Sequence, residues 1–134
     1  MKRSYLKKKP FKTKKTPRKT LRRKLNTLFT QAIIRRDESI CQKCGKYVTG
    51  QNRHVSHVVP VSYSLRMAYD MVNAKILCFH HHINWFHKNP LDAAEWYKTK
   101  FPKRWEYLQT RKLEVLKLGS VKDYELETWI KEYE

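Results

Sequence analysis

Leu21, Leu25, Leu28, Phe29, Ala32 and Ile33 recur at i, i+4, i+7, i+8, i+11 and i+12, an apolar stripe along a helix of roughly four turns. Thr20 stands where an N-cap belongs, and Arg22, Arg23, Lys24, Arg35 and Arg36 occupy the other face. The stripe reads as core packing. The basic face reads either as a solvated surface or as a rest for a phosphate backbone. Residues 47–49 and 53–59 read as two short strands around a Gly50-Gln51-Asn52 turn, and Pro60 ends the second. Residues 62–69 read as a loop with one helical turn, and Ile76-Leu77 as buried. A short helix is expected over about 79–88.

Asn89-Pro90 marks a clear helix start, with Asn89 as N-cap, Pro90 at N1 and Asp92 at N3. That helix runs to about Lys100 with Ala93, Trp96 and Tyr97 on one side. Phe101-Pro102 restarts the chain into a helix over about 103–117, which Gly119-Ser120 ends. Ser120 and Asp123 resemble a capping box for a last helix, whose stripe is Leu126, Trp129, Ile130 and Tyr133. Few strands among many helices predict an α+β fold. The aromatic residues of the helical tail read as core.

Charge changes this picture. The formal net charge is +18 over 134 residues. Residues 1–36 carry fifteen Lys or Arg and no acid; residues 37–134 carry fifteen basic and twelve acidic residues, a net of +3. A basic arm on a near-balanced domain points to a polyanion, above all nucleic acid. Lys14, Lys15, Arg18, Lys19, Arg22 and Arg23 are the candidate contacts. The arm, residues 1–19, holds two prolines and many lysines and is expected to be disordered in the free protein. It lacks the apolar face an interfacial membrane helix needs. No run of about eighteen apolar residues predicts a membrane span, and no apolar segment follows the basic start as in a secretory signal. The bland reading of the arm is a solvated tail.

Candidate chemistry is confined to one stretch. All three cysteines and all six histidines lie between Cys41 and His87. An odd cysteine count with one C-x-x-C reads as metal binding in a reducing compartment, hence a cytoplasmic location. Cys41 and Cys44 supply two thiolates, and Gly45 allows the tight reversal between them and the chain that follows. Cys78 and His81 complete a structural Cys3His zinc site, unless Cys78 is only a small buried hydrophobe. A C2H2 finger built from Cys41, Cys44, His54 and His57 has the wrong spacing and strands Cys78.

With the zinc ligands set aside, His57 on a strand, Asn73 in a loop and His82 on a helix remain. One helical step turns a side chain by about 100°, so His82 faces away from His81, and His57 and His82 are expected to converge on one pocket. Phosphodiester hydrolysis needs a base for water and a divalent ion for the leaving oxygen. His57 suits the first task and His82 the second, with Asn73 bonding to backbone or to the His57 ring.

CQKC, SHVVP, Asn73 and LCFHHH resemble the HNH (ββα-metal) nuclease motif over about residues 41–87. That motif runs CxxC, Asp-His-Ile-x-Pro, Asn, then LCxxC followed by His or Asn. The resemblance implies a zinc-stabilised ββα-metal core (41–88) with flanking C-terminal helices (89–134), all within one nuclease domain over 20–134. It implies His57 as general base, Asn73 as the middle asparagine and His82 as ligand of a catalytic Mg2+ or Mn2+. More widely, the chain resembles the phage lambda-type NinG (Rap) recombination nuclease group, which shares a basic N-terminal region and a helical tail. That group implies cleavage of branched DNA such as Holliday junctions or D-loops, a host-cell cytoplasmic setting, and a homodimer as an attractive arrangement for symmetric cutting.

Two positions depart from the motif. The second zinc pair ends in His81, which zinc chemistry accepts. Ser56 stands where many HNH enzymes have a metal-binding Asp, and a hydroxyl is a poor ligand. The ion then relies on His82 plus His54, on a distant carboxylate, or on substrate phosphate and water. Odd spacing on a regular strand puts His54 opposite His57 unless a bulge intervenes, and a surface or DNA-contacting role is the other reading of His54. His80 and His87 read as helix-surface residues. The rivals are a non-catalytic zinc-stabilised nucleic-acid-binding module and an RNA-directed enzyme or ribosome-associated factor.

Overall fold

The computed structural model describes residues 15–134, so the arm over residues 1–14, including Lys14, lies outside the described residues. The fold is α+β. Helix α1 (Arg18–Asp37) opens it, strands β1 (Arg53–His57) and β2 (Ala74–Cys78) form one antiparallel pair, and helices α2 (Leu65–Ala68), α3 (Pro90–Lys100), α4 (Pro102–Glu114) and α5 (Asp123–Tyr133) complete it. A π-helix, His80–Phe86, joins β2 to α3.

Helix α1 buries the expected stripe: Leu21, Leu25, Phe29, Ala32 and Ile33. It starts two residues before Thr20, because Pro17 supplies the turn whose carbonyl receives the Thr20 and Leu21 N–H groups. Arg18 and Lys19 are therefore helical, which moves the arm's boundary at 19 back. Leu126 and Ile130 of α5 share one core with Leu21, Leu25, Phe29 and Ile33 of that stripe and with Ala74, Ile76 and Leu77. A second core gathers Met67, Tyr97, Leu108 and Val115. Arg36 donates to the Met71 and Ala74 carbonyls, while Asp37 accepts the Ile76 N–H at 2.9 Å. The C-terminal end of α1 is thus bolted to β2.

The expected hairpin of 47–49 with 53–59 is replaced. Tyr47 makes only an isolated bridge to Ile40, and residues 50–52 form a 3-10 turn. β1 pairs instead with β2 in the register His54 with Leu77, Ser56 with Lys75 and His57 with Ala74. β2 is buried at every position. An unbroken apolar environment on both faces erases the alternation that reveals a strand. The last helix also starts later than Ser120 suggests: the Glu125 carboxylate accepts the Lys122 N–H at 2.8 Å, because Val121 is buried in the core before the helix begins. Arg66 of α2 clamps Glu125 at 2.6 Å in a mostly buried pair. No helix among the described residues is long and apolar enough to cross a membrane.

Candidate metal centre and histidine cleft

The ligand atoms of Cys41, Cys44, Cys78 and His81 all lie within 4.8 Å of one another. Cys44 Sγ is 4.0 Å from Cys78 Sγ; His81 Nδ1 is 3.9 Å from Cys41 Sγ and 3.3 Å from Cys78 Sγ. Tetrahedral zinc, with bonds of about 2.3 Å to sulfur and 2.0 Å to nitrogen, sets ligand separations of about 3.5–3.8 Å. The group can therefore hold a metal ion, and its donors are consistent with structural zinc.

Local hydrogen bonds explain the assembly. Gly45, at φ +77°, returns the chain so that its N–H meets the Cys41 carbonyl at 2.8 Å. The Gln42 N–H reaches the Ile76 carbonyl at 2.9 Å and fastens the knuckle to β2, which delivers Cys78. Burial raises the Cys41 thiol, but amides of Cys44, Cys78 and Lys43 outweigh it and hold its pKa below the usual value. That favours the thiolate that a metal needs.

His54 and Ser56 share one face of β1; Val55 and His57 share the other. On the first face His54 Nδ1 lies 3.0 Å from His82 Nδ1. The His54 Nε2–H donates to the Gln51 carbonyl at 2.9 Å, which leaves Nδ1 as the nitrogen turned toward His82. His82 falls to a pKa of about 4, through burial first and then the neighbouring His87 and His54 rings. His87 stacks edge-on to His82 with centroids 4.4 Å apart. The π-helix turns this extra residue onto the His82 side, which ordinary helical spacing does not suggest. His80 is exposed.

The face that would carry the motif's acid is occupied. Ser56 is fully buried, and its hydroxyl accepts from Lys75 Nζ at 3.0 Å. Lys75 is itself fully buried, with its amine 3.4 Å from the centre of the Phe86 ring. Desolvation pushes the Lys75 pKa well below the usual lysine range, and Asp37 only partly opposes this.

His57 does not join His82 in one pocket. It stacks on Phe29 of α1 at 6.0 Å and 12°, and its Nε2–H donates to the Ala68 carbonyl at 2.8 Å. A carbonyl only accepts, so the neutral ring keeps its lone pair on Nδ1. Burial lowers the His57 pKa, as does Lys75 to a lesser degree, while the Ala68 bond acts in the opposite sense. His57 lies in a cleft of about 120 Å³ between α1 and the sheet, bordered by Arg22, Asn26 and Tyr69. A wider groove of about 580 Å³ along Arg18, Lys19, Arg22, Arg23 and Asn26 adjoins it. Lys15 is exposed just before α1.

Asn73 bonds to backbone and not to the His57 ring. Fully buried, it accepts the Val59 N–H at 2.7 Å and donates to the Val59 and Met67 carbonyls at 2.9 Å each. It thereby ties the chain after His57 to the helix whose Ala68 carbonyl orients the ring. The Ala68 contact and buried Lys75 left no mark in the residue pattern: one is a backbone atom, the other a lone lysine in an apolar run.

Comparison with known protein families, curated proteins and solved structures finds no match to this chain.

Proposed function

We propose that this chain is a metal-dependent endonuclease of the HNH (ββα-metal) type that hydrolyses phosphodiester bonds in DNA, with linear duplex and branched recombination intermediates as the two candidate substrates. The observation that carries this reading is His57: an imidazole fixed through Nε2, with no hydrogen bond to Nδ1 among the described residues, lining a cleft beside the basic groove of α1. This is what general-base activation of water requires. The ordered CxxC, His, Asn and Cys-x-x-His-His pattern supports it.

In the reaction, a water oxygen bonds to phosphorus and the bond to the 3′ oxygen breaks. His57 Nδ1 takes the water proton; the leaving 3′ oxygen takes one from solvent. Asn73 is a positioning residue, holding the backbone that presents the Ala68 carbonyl to His57. The products implied are a 5′-phosphate and a 3′-hydroxyl. Zinc held by Cys41, Cys44, Cys78 and His81 would fix β2 and the π-helix in place.

His54 and His82 would hold the catalytic ion. Two nitrogens 3.0 Å apart suit neighbouring ligands of one ion with bonds of about 2.1 Å, and the His54 Nε2–H on a carbonyl is the usual outer support of a metal-bound imidazole. Such an ion would supply Lewis-acid charge on the face of β1 opposite His57. An imidazole pair without a carboxylate suits Mn2+ or a softer ion better than Mg2+.

A second reading, the non-catalytic nucleic-acid-binding module, is favoured by one observation: the hydroxyl of Ser56 is taken by Lys75. Labelled linear duplex and four-way junction DNA, incubated with Mn2+ or Mg2+, separate the two. Cleavage by the native chain, reduced about 10²–10⁴-fold in His57→Ala with binding retained, is the expected result. Tight binding without cleavage in either metal would establish the module. Preference for RNA in competition would move the substrate class.

A further inference from the structure

The His57 cleft contains one permanent charge. Among its lining residues only Arg22 is charged, and none is acidic. The Arg22 Nε–H donates to the Tyr69 hydroxyl at 3.3 Å, and that hydroxyl donates onward to Asn26 Oδ1 at 2.5 Å. Tyr69 is held in turn: its ring meets Phe29 edge-on at 5.8 Å and its carbonyl accepts from the Tyr133 hydroxyl at 2.8 Å. Among the described residues the two terminal guanidinium nitrogens of Arg22 make no hydrogen bond. An arginine pinned at Nε with both Nη groups open is prepared for two parallel bonds to one phosphate.

The mounting is shared. Ala68, whose carbonyl fixes His57, and Tyr69, whose hydroxyl fixes Arg22, are adjacent residues at the end of α2. The distance between the base and the guanidinium is thus set by one short piece of backbone. The volume also speaks. About 120 Å³ is well below the roughly 300–1,000 Å³ of pockets that enclose a whole small molecule, so the cleft suits a single phosphoryl group. Neighbouring phosphates have the wider groove past Arg18, Lys19 and Arg23.

Resting on the nuclease reading for its catalytic consequence, we infer that Arg22 is the phosphate-binding group of the His57 cleft, gripping the scissile phosphate with its terminal nitrogens beside His57 Nδ1. In this chain it supplies positive charge at the His57 cleft, which lies on the face of β1 opposite the His54–His82 pair. Arg23, one step round the helix, serves only the groove.

The test uses the full chain as wild type, Arg22→Gln, Arg22→Lys and Arg23→Gln. Histidine ring nitrogens are followed by NMR during titration with inorganic phosphate, and kcat and KM are measured on cleaved DNA. The expected result is a phosphate-dependent shift of the His57 Nδ1 resonance in wild type and Arg23→Gln that is lost in Arg22→Gln. Arg22→Gln should lower kcat about 10²–10³-fold, Arg22→Lys less, and Arg23→Gln should raise KM alone. A His57 signal indifferent to phosphate in wild type overturns the inference, whether or not DNA is cut. So does cleavage in which Arg22→Gln matches Arg23→Gln. A phosphate response that depends on Arg22 in a chain that cuts no DNA upholds the phosphate site and removes the nuclease.

Discussion

His57 and Lys75 are both pushed toward neutrality by burial, with opposite consequences for activity and stability. A base must be unprotonated to act, so cleavage should rise with pH as His57 loses its proton. Because its pKa is lowered, the inflection in kcat/KM should fall below the ordinary histidine value of about 6.5. A profile flat across that region would remove His57 from the chemistry. Lys75 acts on folding. The unfolded chain holds the lysine proton up to about pH 10.5, whereas the folded chain releases it earlier. Between those limits the unfolded state binds more protons, so this residue's contribution to stability rises with pH. Lys75→Met should therefore stabilise the protein by about 1–2 kcal/mol at pH 7, allowing for the Ser56 hydroxyl it abandons, and the gain should shrink toward pH 10. Denaturant unfolding at several pH values measures both. At this scale the sequence was most readable where chemistry is rare: cysteine and histidine announce a metal, and Cys41, Cys44, Cys78 and His81 do converge. It was least readable where an ordinary residue has an unusual environment.

Among the elements, the knuckle is the joint between regions remote in sequence. Cys41 and Cys44 follow α1, while Cys78 ends β2 and His81 lies in the π-helix. A metal held by these four residues would tie the regions together, beside the Gln42–Ile76 bond. Chelation should release one zinc per chain and destabilise the fold by about 3 kcal/mol or more, roughly 10 °C or more in Tm. Zinc analysis and melting curves with and without chelator check this, and a chain that melts unchanged would make the cluster a thiol-rich core. Helices with strong punctuation, such as Asn89-Pro90 and Phe101-Pro102, were legible. The partner of β1 was not. Residues 47–49 are nearer in sequence, yet β2 wins because Arg36, Asp37 and the knuckle all fasten it in place. Tertiary contacts of that kind leave no local signature. The same applies to His57 and His82: strand parity allows opposite faces, and only the register and the position of α1 decide it.

For the whole molecule, charge is divided from chemistry. The α+β class, the basic beginning and the location of the metal-ligand cluster were readable from bulk patterns, which survive ignorance of detail. How the basic surface meets the site was not, because it depends on α1 crossing the sheet beside His57. That arrangement predicts two separable roles for positive charge. Residues 1–14 contain seven Lys or Arg, and Arg18, Lys19, Arg22 and Arg23 border the groove. Each phosphate neutralised should steepen the dependence of log K on log salt concentration by about 0.9 for duplex DNA. Deleting residues 1–14 should therefore flatten the slope by several units and weaken binding at moderate salt, while leaving kcat at saturating DNA unchanged. Arg23→Gln should remove about one unit of slope. Binding isotherms across a salt series, paired with single-turnover cleavage, read both quantities. If the deletion lowers kcat as much as affinity, the arm takes part in the reaction, and the groove along α1 is an incomplete account of how the scissile phosphate reaches His57.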